Sequence, residues 1–432
     1  MTENKEQSKM VPKRRFKAFE NEDGWVKREL GEILDFSITT NSLSRNMLNY
    51  YGGELRSIHY GDILINYGSI LDVKTDVIPF VTGGKVKDFS SQLLKNGDIV
   101  FADAAEDETV GKAVEINGLR NADLVAGLHT IVGRPLSKFA ERYLGYYINS
   151  NSYHRQLIPL MQGTKVSSIS KNTLQKTKII YPNSINEQQD IGDFFTNLDQ
   201  TITLQQQKME KLKAMKSAYL SEMFPAEGER KPKRRFPGFT DDWEQRELGE
   251  IGNTFTGLSG KTKEDFGHGD GKFITYMNVF SNPVADLGGL ESVEIDNKQF
   301  QVKLGDVLFT TSSETPEEVG MSSVWLGNAE NIYLNSFCFG YRPTIEFDKH
   351  YLAFMLRSAP IRKKFQLLAQ GISRYNISKN KVMKMPIPVP NIVEQKVLGA
   401  FFKNLDQTIA FQQQKLEKLQ NIKKAYLNEM FI

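Results

Sequence analysis

Two glycine-rich segments come nearest to phosphate chemistry, and each lacks a required part. The run GLSGKT at 257–262 resembles the end of a phosphate-binding loop, but the Walker A pattern needs a glycine where this chain has Phe255. The run GHGDG at 267–271 lacks the strand, the glycine spacing and the helix of a dinucleotide site. A polar surface loop is therefore the favoured interpretation of GLSGKT, and GHGDG is not interpreted as a dinucleotide site.

The patterns for methyl transfer, nucleophilic catalysis and metal binding are also incomplete. Asn282 and Pro283 continue as Val-Ala, without the second proline and the aromatic residue of an amino-methyltransferase motif. The acidic run DAAEDE at 103–108 is interpreted as a solvated loop, and no Gly-x-Ser-x-Gly nucleophile elbow occurs. Metal-ligand spacing is missing among the histidines and the single Cys338, the histidines being His59, His129, His154, His268 and His350. We therefore expect no catalytic residue and no metal site.

The composition is typical of a globular protein with more than one domain. The 432 residues suffice for two or three domains, and the formal net charge of +3 permits a nucleic-acid partner without requiring one. One cysteine excludes a disulfide framework, no secretory signal is recognisable, and no run of about 18 apolar residues could cross a membrane. We therefore expect a cytoplasmic protein without membrane contact.

The element that must position any functional side chains occurs twice. Residues 187–224 and 394–431 are identical at 25 of 38 positions, with a constant offset (394 − 187 = 207) and no gap. This period is far longer than a solenoid or propeller repeat, so it indicates the duplication of a two-part unit. Both copies lack proline and are rich in Lys, Glu, Gln and Leu, so each predicts a helix of roughly 57 Å.

Each predicted helix carries an apolar seam with heptad spacing. The seams comprise Ile191, Phe195, Leu198, Ile202, Met209, Leu212, Tyr219 and Met223 in the first copy, and Leu398, Phe402, Leu405, Ile409, Leu416, Leu419, Tyr426 and Met430 in the second. A surface helix lying on its own domain would also have such a stripe, but two near-identical copies favour an antiparallel pair. Gln205 and Gln412 interrupt the seams near the helix centres, and we expect them to pair and set the register.

Short sequence segments that precede each predicted helix also occur twice, and they mark the start of each repeat. PKRRF begins at residues 12 and 232, and Trp25 and Trp243 precede the words RELGEI. The sequence thus predicts a flexible N-terminal arm at 1–11, a first domain at 12–186, a spacer helix at 187–224, a basic linker at 225–240, a second domain at 241–393 and a second spacer helix at 394–432.

The two domain interiors share only short words, such as GDIVFA at 97–102 and GDVLFT at 305–310. Apolar runs broken by turn residues, including DILIN at 62–66 and KFITYMNVF at 272–280, are interpreted as strands. The expected fold class is α+β, with two globular mixed α/β domains whose sheets are mostly antiparallel. Two long antiparallel coiled-coil helices are expected to separate the domains, with an internal pseudo-two-fold repeat.

The duplicated frame resembles a known family. The words EQQDIGDFFTNLDQTITLQQQKMEKLKAMKSAYLSEMFP and KPKRRFPGFTDDWEQRELGEI are similar to the central conserved segment of type I restriction–modification specificity subunits. The second helix is similar to that family's distal conserved segment. The resemblance extends from about residue 12 to 431, and it is strong in the helices and linkers but weak inside the domains.

The resemblance implies a fold and a role. It implies two target recognition domains held apart by two antiparallel helices, in a non-catalytic subunit that binds double-stranded DNA. Two methyltransferase subunits and two restriction–translocase subunits would be its partners, and S-adenosylmethionine, ATP and Mg²⁺ would belong to them, leaving no cofactor in this chain. Because the domains differ, the implied target is bipartite and asymmetric, with a fixed gap between half-sites about one DNA turn, roughly 34 Å, apart.

A DNA-binding role requires side chains that reach base edges and phosphates. The candidates are Arg45, Asn46, Tyr50, Tyr51, Lys165 and Ser167 in the first domain, and Lys261, Thr262, Lys263, His268, Ser373, Arg374, Tyr375 and Asn376 in the second. The loops that begin QG occupy equivalent positions (371 − 163 = 208), which favours their residues. Ordinary solvation of a polar loop is the competing explanation for each candidate.

The basic residues of the frame have two interpretations. The linker clusters, Lys13, Arg14 and Arg15 with Lys233, Arg234 and Arg235, either contact phosphates or only solubilise the linkers. The lysines on the outer helix faces could dock partners or DNA, but ordinary surface charge is the favoured explanation for Lys208, Lys211, Lys415 and Lys418.

Two other functions are compatible with the sequence. The chain could be a stand-alone two-module DNA-binding protein, or a coiled-coil interaction scaffold with no nucleic-acid role. Sequence-selective DNA binding that weakens with salt would exclude the scaffold. Methylation and restriction genes next to this one would favour the specificity subunit.

Overall fold

The computed structural model describes residues 10–120 and 122–432, so most of the predicted N-terminal arm, residues 1–9, lies outside the described residues. Contacts divide the chain into two compact units. Unit 1 comprises the described residues up to Gln205 together with Lys415–Ile432, and unit 2 comprises Gln206–Gln414. Each unit therefore contains part of both long helices.

Unit 1 is a mixed α/β structure. Its strands, β1 to β13, are Val26–Glu29, Leu34–Asp35, Leu48–Asn49, Leu55–Ile58, Ile70–Asp72, Phe80–Val81, Ile99–Ala102, Ala104–Ala105, Ala113–Asn117, Asp123–Ala126, Thr130–Pro135, Ser167–Ser168 and Lys178–Tyr181. Its short helices, α1 to α5, are Leu30–Ile33, Tyr60–Ile65, Tyr143–Ile148, Asn151–His154 and Lys171–Gln175. The main sheet has the order β2-β11-β7-β9-β5, and a second sheet has the order β10-β4-β6-β3.

The first long helix, α6, is Ile185–Glu222, and unit 2 continues from it. The strands of unit 2, β14 to β24, are Glu244–Glu247, Gly252–Thr256, Phe266–Ile274, Leu290–Val293, Val307–Thr310, Ser312–Ser313, Ser322–Val324, Ile332–Leu334, Cys338–Pro343, Tyr375–Asn376 and Pro386–Val389. The helices α7 to α10 are Tyr276–Ser281, Lys349–Met355, Ala359–Leu368 and Lys379–Met383, and the second long helix, α11, is Ile392–Glu429.

The two units have the same central topology. In unit 2 the main sheet has the order β15-β22-β18-β20, which matches β2-β11-β7-β9 of unit 1, and neighbouring strands in both sets are antiparallel. Two smaller pairs also recur, because β1 with β13 and β8 with β12 correspond to β14 with β24 and β19 with β23. The two domain interiors therefore have the same central topology although only short sequence segments are similar between them.

The expectation of a strand at DILIN was wrong, because this run lies mostly in α2, Tyr60–Ile65. The ring nitrogen Nδ1 of His59 accepts a hydrogen bond from the backbone N–H of Gly61 and caps the helix. A short apolar run cannot distinguish a buried strand from one face of a helix. The run at 272–280 is likewise divided between β16 and α7, which begins after the capping residue Thr275.

The long helices α6 and α11 run antiparallel within each unit. In unit 1, Phe194 packs on Tyr426 with ring centroids 5.0 Å apart, and farther along α6 Asp199 pairs with Lys423. In unit 2, Lys216 pairs with Asp406, and Tyr219 then packs on Phe401. Every residue of the two predicted seams is buried or half-buried, including Gln205 and Gln412.

Each long helix is anchored at its start by the same contacts. The buried carboxylate of Glu187 accepts two hydrogen bonds from Arg15, at 2.6 and 2.7 Å, and one from the indole N–H of Trp25. In unit 2, Glu394 accepts equivalent bonds from Arg235, at 2.7 and 2.8 Å, and from Trp243. The sequence segments that are identical in the two repeats therefore contain the arginine, tryptophan and glutamate that attach each long helix to its unit.

Candidate nucleic-acid interface

The loop at residues 162–168, called here the first QG loop, is a closed hairpin in unit 1. Gln162 and Ser168 exchange two backbone hydrogen bonds, at 2.9 and 2.8 Å. Gly163 has φ of 116°, and a Cβ there would lie 2.0 Å from the carbonyl oxygen of Val166, so only glycine fits. The strand that ends the loop, β12, pairs with β8 beside the main sheet.

The loop at residues 370–376, the second QG loop, is built in the same way in unit 2. Gln370 and Asn376 exchange two backbone hydrogen bonds, at 2.9 and 2.8 Å. Gly371 has φ of 138°, and its Cβ would lie 2.0 Å from the carbonyl oxygen of Arg374. Strand β23 of this loop pairs with β19. The two units thus hold one loop type at equivalent places of the fold.

The tips of the two QG loops carry different exposed side chains. The first tip presents Lys165 and Val166, whereas the second presents Ile372, which is 96% exposed, with Ser373 and Arg374. The remaining predicted residues of these loops, Ser167, Tyr375 and Asn376, lie in the strands β12 and β23. A rigid hairpin with a cation and an apolar side chain at its tip suits contact with phosphates and base edges.

The predicted residues at 45–51 form a second exposed loop in unit 1. Arg45 begins a short 3₁₀ helix, and its guanidinium binds both carboxylate oxygens of the buried Asp62, at 2.6 and 2.7 Å. These hydrogen bonds raise the pKa of Arg45, so it remains protonated. Asn46 and Tyr50 are exposed, and Tyr51 is 100% exposed.

A group of three rings, called here the ring cluster (His59, Tyr60 and His129), connects these two loops of unit 1. The rings of His59 and Tyr60 are 4.7 Å apart, and those of Tyr60 and His129 are 5.2 Å apart. His129 lies 3.3 Å from the carboxylate of Asp103, whose carbonyl oxygen binds the residue after the first QG loop. His59 lies three residues before Asp62, which is the partner of Arg45. Pairwise contacts and the short helix α2 thus connect the two predicted loops of unit 1.

The predicted residues at 261–268 in unit 2 are held by acidic neighbours. Lys261 is only 13% exposed and pairs with Asp265 and Asp296, at 3.6 and 3.2 Å. Thr262 caps a 3₁₀ helix, and His268 lies 3.7 Å from Glu294. The Lys261 ammonium is thus engaged in ion pairs with these two carboxylates, while Lys263 and His268 remain exposed.

Sequence reasoning did not nominate several residues that shape these surfaces. Asp62 orients Arg45, and Tyr60 and His129 connect the loops of unit 1. In unit 2, the hydroxyl of Tyr276, the first residue of α7, donates to the carbonyl of Ser312 beside the second QG loop. An acid inside the apolar run DILIN was the available signal for Asp62.

Comparison with known proteins identifies the family. The DNA specificity domain of type I restriction–modification systems matches this chain over residues 22–214 and 240–421, which is most of its length. The chain belongs to the type I restriction–modification DNA specificity family. Its function is DNA sequence recognition in such a system, and the two matched regions correspond to the two copies of the repeat.

Individual relatives agree with this assignment. A protein of Methanocaldococcus jannaschii, provisionally named the specificity subunit of the type I restriction enzyme MjaX, is 22% identical over 424 residues, or 94% of this chain and 92% of the relative. The type I restriction enzyme MjaVIII specificity subunit of the same organism is 22% identical over 294 residues, or 62% of this chain and 64% of the relative.

Solved structures share the fold. The crystal structure of a type I restriction–modification S subunit from M. genitalium has a TM-score of 0.54 and 14% identity, covering 98% of this chain and 99% of that one. A chain from a structural study of complex assembly and conformational transition in a type I system has a TM-score of 0.56 and 17% identity, covering 94% and 97%. The mixed α/β fold with two repeated domains is therefore that of specificity subunits.

The basic linker residues of this specificity subunit divide into two groups. Arg15 and Arg235 are largely buried against Glu187 and Glu394, so they anchor the long helices. Arg14 pairs with Glu429 in unit 1, and Arg234 with Glu222 in unit 2. Lys13 and Lys233 are exposed, as are the outer-face lysines Lys208, Lys211, Lys415 and Lys418. The two interpretations of the linker clusters were phosphate contact and solubility. The structure adds a third role for the arginines, which form ion pairs within their own unit.

Neither a metal centre nor a reactive thiol forms in the described part of the specificity subunit. Among residues 10–120 and 122–432, no group of three or more His, Cys, Asp and Glu side chains could hold a metal ion. Burial raises the pKa of the Cys338 thiol to about 12, so it remains protonated and unreactive. In the same residues, no helix has the length and apolar character needed to cross a membrane.

Proposed function

We propose that this chain reads a bipartite, asymmetric duplex target, with one half-site for each unit. The single observation that carries the proposal is the pair of QG loops, which have the same backbone and different tips. A shared backbone supports the same approach to DNA, whereas the change from Lys165 and Val166 to Ser373 and Arg374 supports recognition of different bases.

The proposed contacts divide by chemistry. Lys165, Lys263 and Arg374 are exposed cations suited to phosphates or guanine, and Asn46 and Asn376 offer amides suited to adenine. Tyr50, Tyr51 and Tyr375, with Ser167, Thr262, His268 and Ser373, would add stacking or hydrogen bonds. Lys261 would act through its acidic partners by shaping the loop rather than by direct contact.

The long helices are proposed as a coiled-coil spacer between two recognition domains, 12–186 and 241–393. A helix of 38 residues is roughly 57 Å long, enough to bridge half-sites about 34 Å apart. We propose that Gln205 and Gln412 set the register of this spacer, as a polar pair in a seam can.

The chain is proposed to be a non-catalytic subunit that acts in the cytoplasm. It would carry two methyltransferase subunits and two restriction–translocase subunits, which would bind S-adenosylmethionine, ATP and Mg²⁺. Methylation of an adenine would require that base to be flipped out of the duplex, as in other base-modifying enzymes. The lack of catalytic motifs in this sequence supports the division of labour.

The decisive experiment compares the adenine methylome of the host by long-read sequencing with this gene present and deleted. We expect one gapped, two-part motif to lose methylation on deletion. Replacing residues 34–186 with the corresponding segment of another specificity subunit should then change only one half of the motif. If no motif changes while the partner genes are expressed, the proposal fails, and purified protein that selects a DNA sequence without partners would favour the stand-alone DNA-binding protein.

A further inference from the structure

The ion pair between Arg45 and Asp62 in unit 1 holds an arginine in one orientation at an exposed surface. The side chain of Asp62 is 2% exposed, whereas that of Arg45 is 44% exposed. Both terminal nitrogens of Arg45 bind Asp62, Nη1 to Oδ2 at 2.7 Å and Nη2 to Oδ1 at 2.6 Å. The amide of Asn66 donates to the same carboxylate at 2.8 Å and holds it in place. The plane of the guanidinium is therefore set before any ligand arrives.

The remaining donors of Arg45 leave one edge available. The second hydrogen of Nη1 points to the Tyr50 hydroxyl, 3.3 Å away. In the described part of the chain, no acceptor takes the Nε hydrogen or the second hydrogen of Nη2. These two N–H groups lie side by side on a guanidinium, so together they form an edge that can bind two acceptors at once.

Unit 2 uses the equivalent position for a different purpose. Asn278 is the third residue of α7, as Asp62 is the third residue of α2, and Asn282 donates to it as Asn66 donates to Asp62. The Asn278 amide binds the carbonyl oxygens of Asp286 and Gly289, at 2.8 and 2.9 Å. The third residue of the helix thus orients an arginine in unit 1, where it is Asp62, and a backbone segment in unit 2, where it is Asn278.

We propose that Arg45 reads a guanine in the half-site of unit 1, donating from Nε and Nη2 to guanine O6 and N7, and that Asp62 is its positioning residue. The inference rests on the proposed function and names one base contact within it. A phosphate offers similar acceptors, but the Asp62 carboxylate neutralises the guanidinium charge and fixes its plane. Both effects favour a planar pair of base acceptors over a mobile anion.

The test uses the full chain in complex with its methyltransferase subunits, and duplex DNA carrying the motif that this complex selects from a randomised library. Each guanine of the motif is replaced in turn by 7-deazaguanine, which lacks the N7 acceptor. We expect one substitution, in one half-site, to weaken binding by roughly tenfold. The variant R45K keeps a cation opposite Asp62 but loses the two-donor edge, so it should bind both duplexes equally.

The possible outcomes distinguish a guanine contact from a phosphate contact. They also distinguish failure of this inference from failure of the proposed function. A phosphate contact predicts that R45K retains the sensitivity to 7-deazaguanine and that the slope of log affinity against log salt falls by about one in R45A; this result would overturn the inference. Selection of a motif with no deazaguanine effect would also overturn it while leaving the proposed function intact. Failure to select any motif would overturn both.

Two further variants guard against a simple folding defect. D62N should bind the unmodified duplex about as weakly as wild type binds the 7-deazaguanine duplex, and it should lose the single-guanine sensitivity, because Arg45 is no longer oriented; its unfolding midpoint is measured in parallel. R28K, an exposed position in β1, is the matched control and should behave as wild type. A loss of guanine sensitivity in R28K would show that any arginine change disturbs unit 1, and the inference would then fail.

Discussion

Glu187 and Glu394 show how single residues account for the identical words of the two repeats. Each is 1% exposed, and each binds an arginine and a tryptophan that lie more than 150 residues earlier. Removing one member of a buried ion pair leaves an uncompensated charge, which is far more costly than removing an exposed pair. Identity at these positions therefore reflects helix attachment.

The first prediction concerns this attachment. E394Q should lower the free energy of unfolding of unit 2 by about 3–5 kcal/mol, because Arg235 would remain largely buried without its carboxylate. Urea unfolding, followed by hydrogen exchange in each unit, measures the effect. The control E429Q removes the exposed pair with Arg14 and should have a much smaller effect. Equal effects in both variants would contradict the prediction.

Glu115 is a residue of unit 1 that compensates for a difference between the repeats. Asp348 caps α8 in unit 2 by accepting from the N–H of Tyr351, whereas the corresponding residue of unit 1 is Ala140. Glu115 reaches from β9 instead and accepts from the N–H groups of Arg142 and Gly145, at 2.5 and 2.8 Å. Burial raises the pKa of Glu115 to about 7.

The second prediction is a pH dependence of unit 1. The pKa of Glu115 is higher in the folded chain than its ordinary value of 4.5, so the unfolded chain releases this proton first. The stability from protonated Glu115 is complete below pH 4.5 and is lost as the pH rises toward 7, by up to about 3 kcal/mol. Urea midpoints at pH 5 and pH 8 should differ less in E115Q, which cannot ionise, than in wild type. The exposed E106Q should leave the difference unchanged.

At the scale of elements, the QG loops combine a fixed backbone with variable tips. The hydrogen bonds between Gln162 and Ser168, and between Gln370 and Asn376, close each hairpin, and a glycine with positive φ follows the glutamine. Such an element can change what it contacts without changing how it is held. On the proposed function, this arrangement would allow a module to acquire a new target while its frame stays the same.

The third prediction tests the backbone of the second QG loop. G371A should weaken sequence-specific DNA binding by at least about tenfold, because a Cβ at this φ would lie 2.0 Å from the Arg374 carbonyl and displace the tip. Affinity is measured on the selected duplex, and the unfolding midpoint should change little because the loop is exposed. The control G228A also has positive φ but meets no atom within 4 Å, and it should bind normally. Normal binding by G371A would argue against the loop as a contact.

At the scale of the whole molecule, each unit is completed by a helix segment from the other repeat. Unit 1 takes Lys415–Ile432, and Phe431 stacks on Phe195 with ring centroids 5.7 Å apart. In unit 2, the equivalent Phe224 stacks on Phe402, 5.6 Å apart. The residue that ends the first repeat therefore lies in the core of the second unit, and the converse also holds.

The fourth prediction follows from this exchange. F224A should destabilise unit 2 and F431A should destabilise unit 1, each by about 3–5 kcal/mol, because both rings are buried among aromatic side chains. Hydrogen exchange resolved by peptide reports the two units separately. If F224A instead lowered protection mainly in residues 26–181, the division of the chain into these units would be wrong.

The sequence by itself determined the features that repeat or recur locally. The duplication, the two long helices and their seams depend on spacing within one segment, and the family was recognisable from the frame words that attach those helices.

Only the tertiary structure decided the features that depend on distant partners. The sequence could not show that Arg15 and Arg235 are buried anchors, that Asp62 orients Arg45, or that Glu115 replaces the cap supplied by Asp348. It also misassigned DILIN, because a short apolar run is compatible with either a helix or a strand until the neighbouring packing is known. Burial and pairing across long sequence separations are properties of the folded chain, since they arise only when the sheets bring remote residues together.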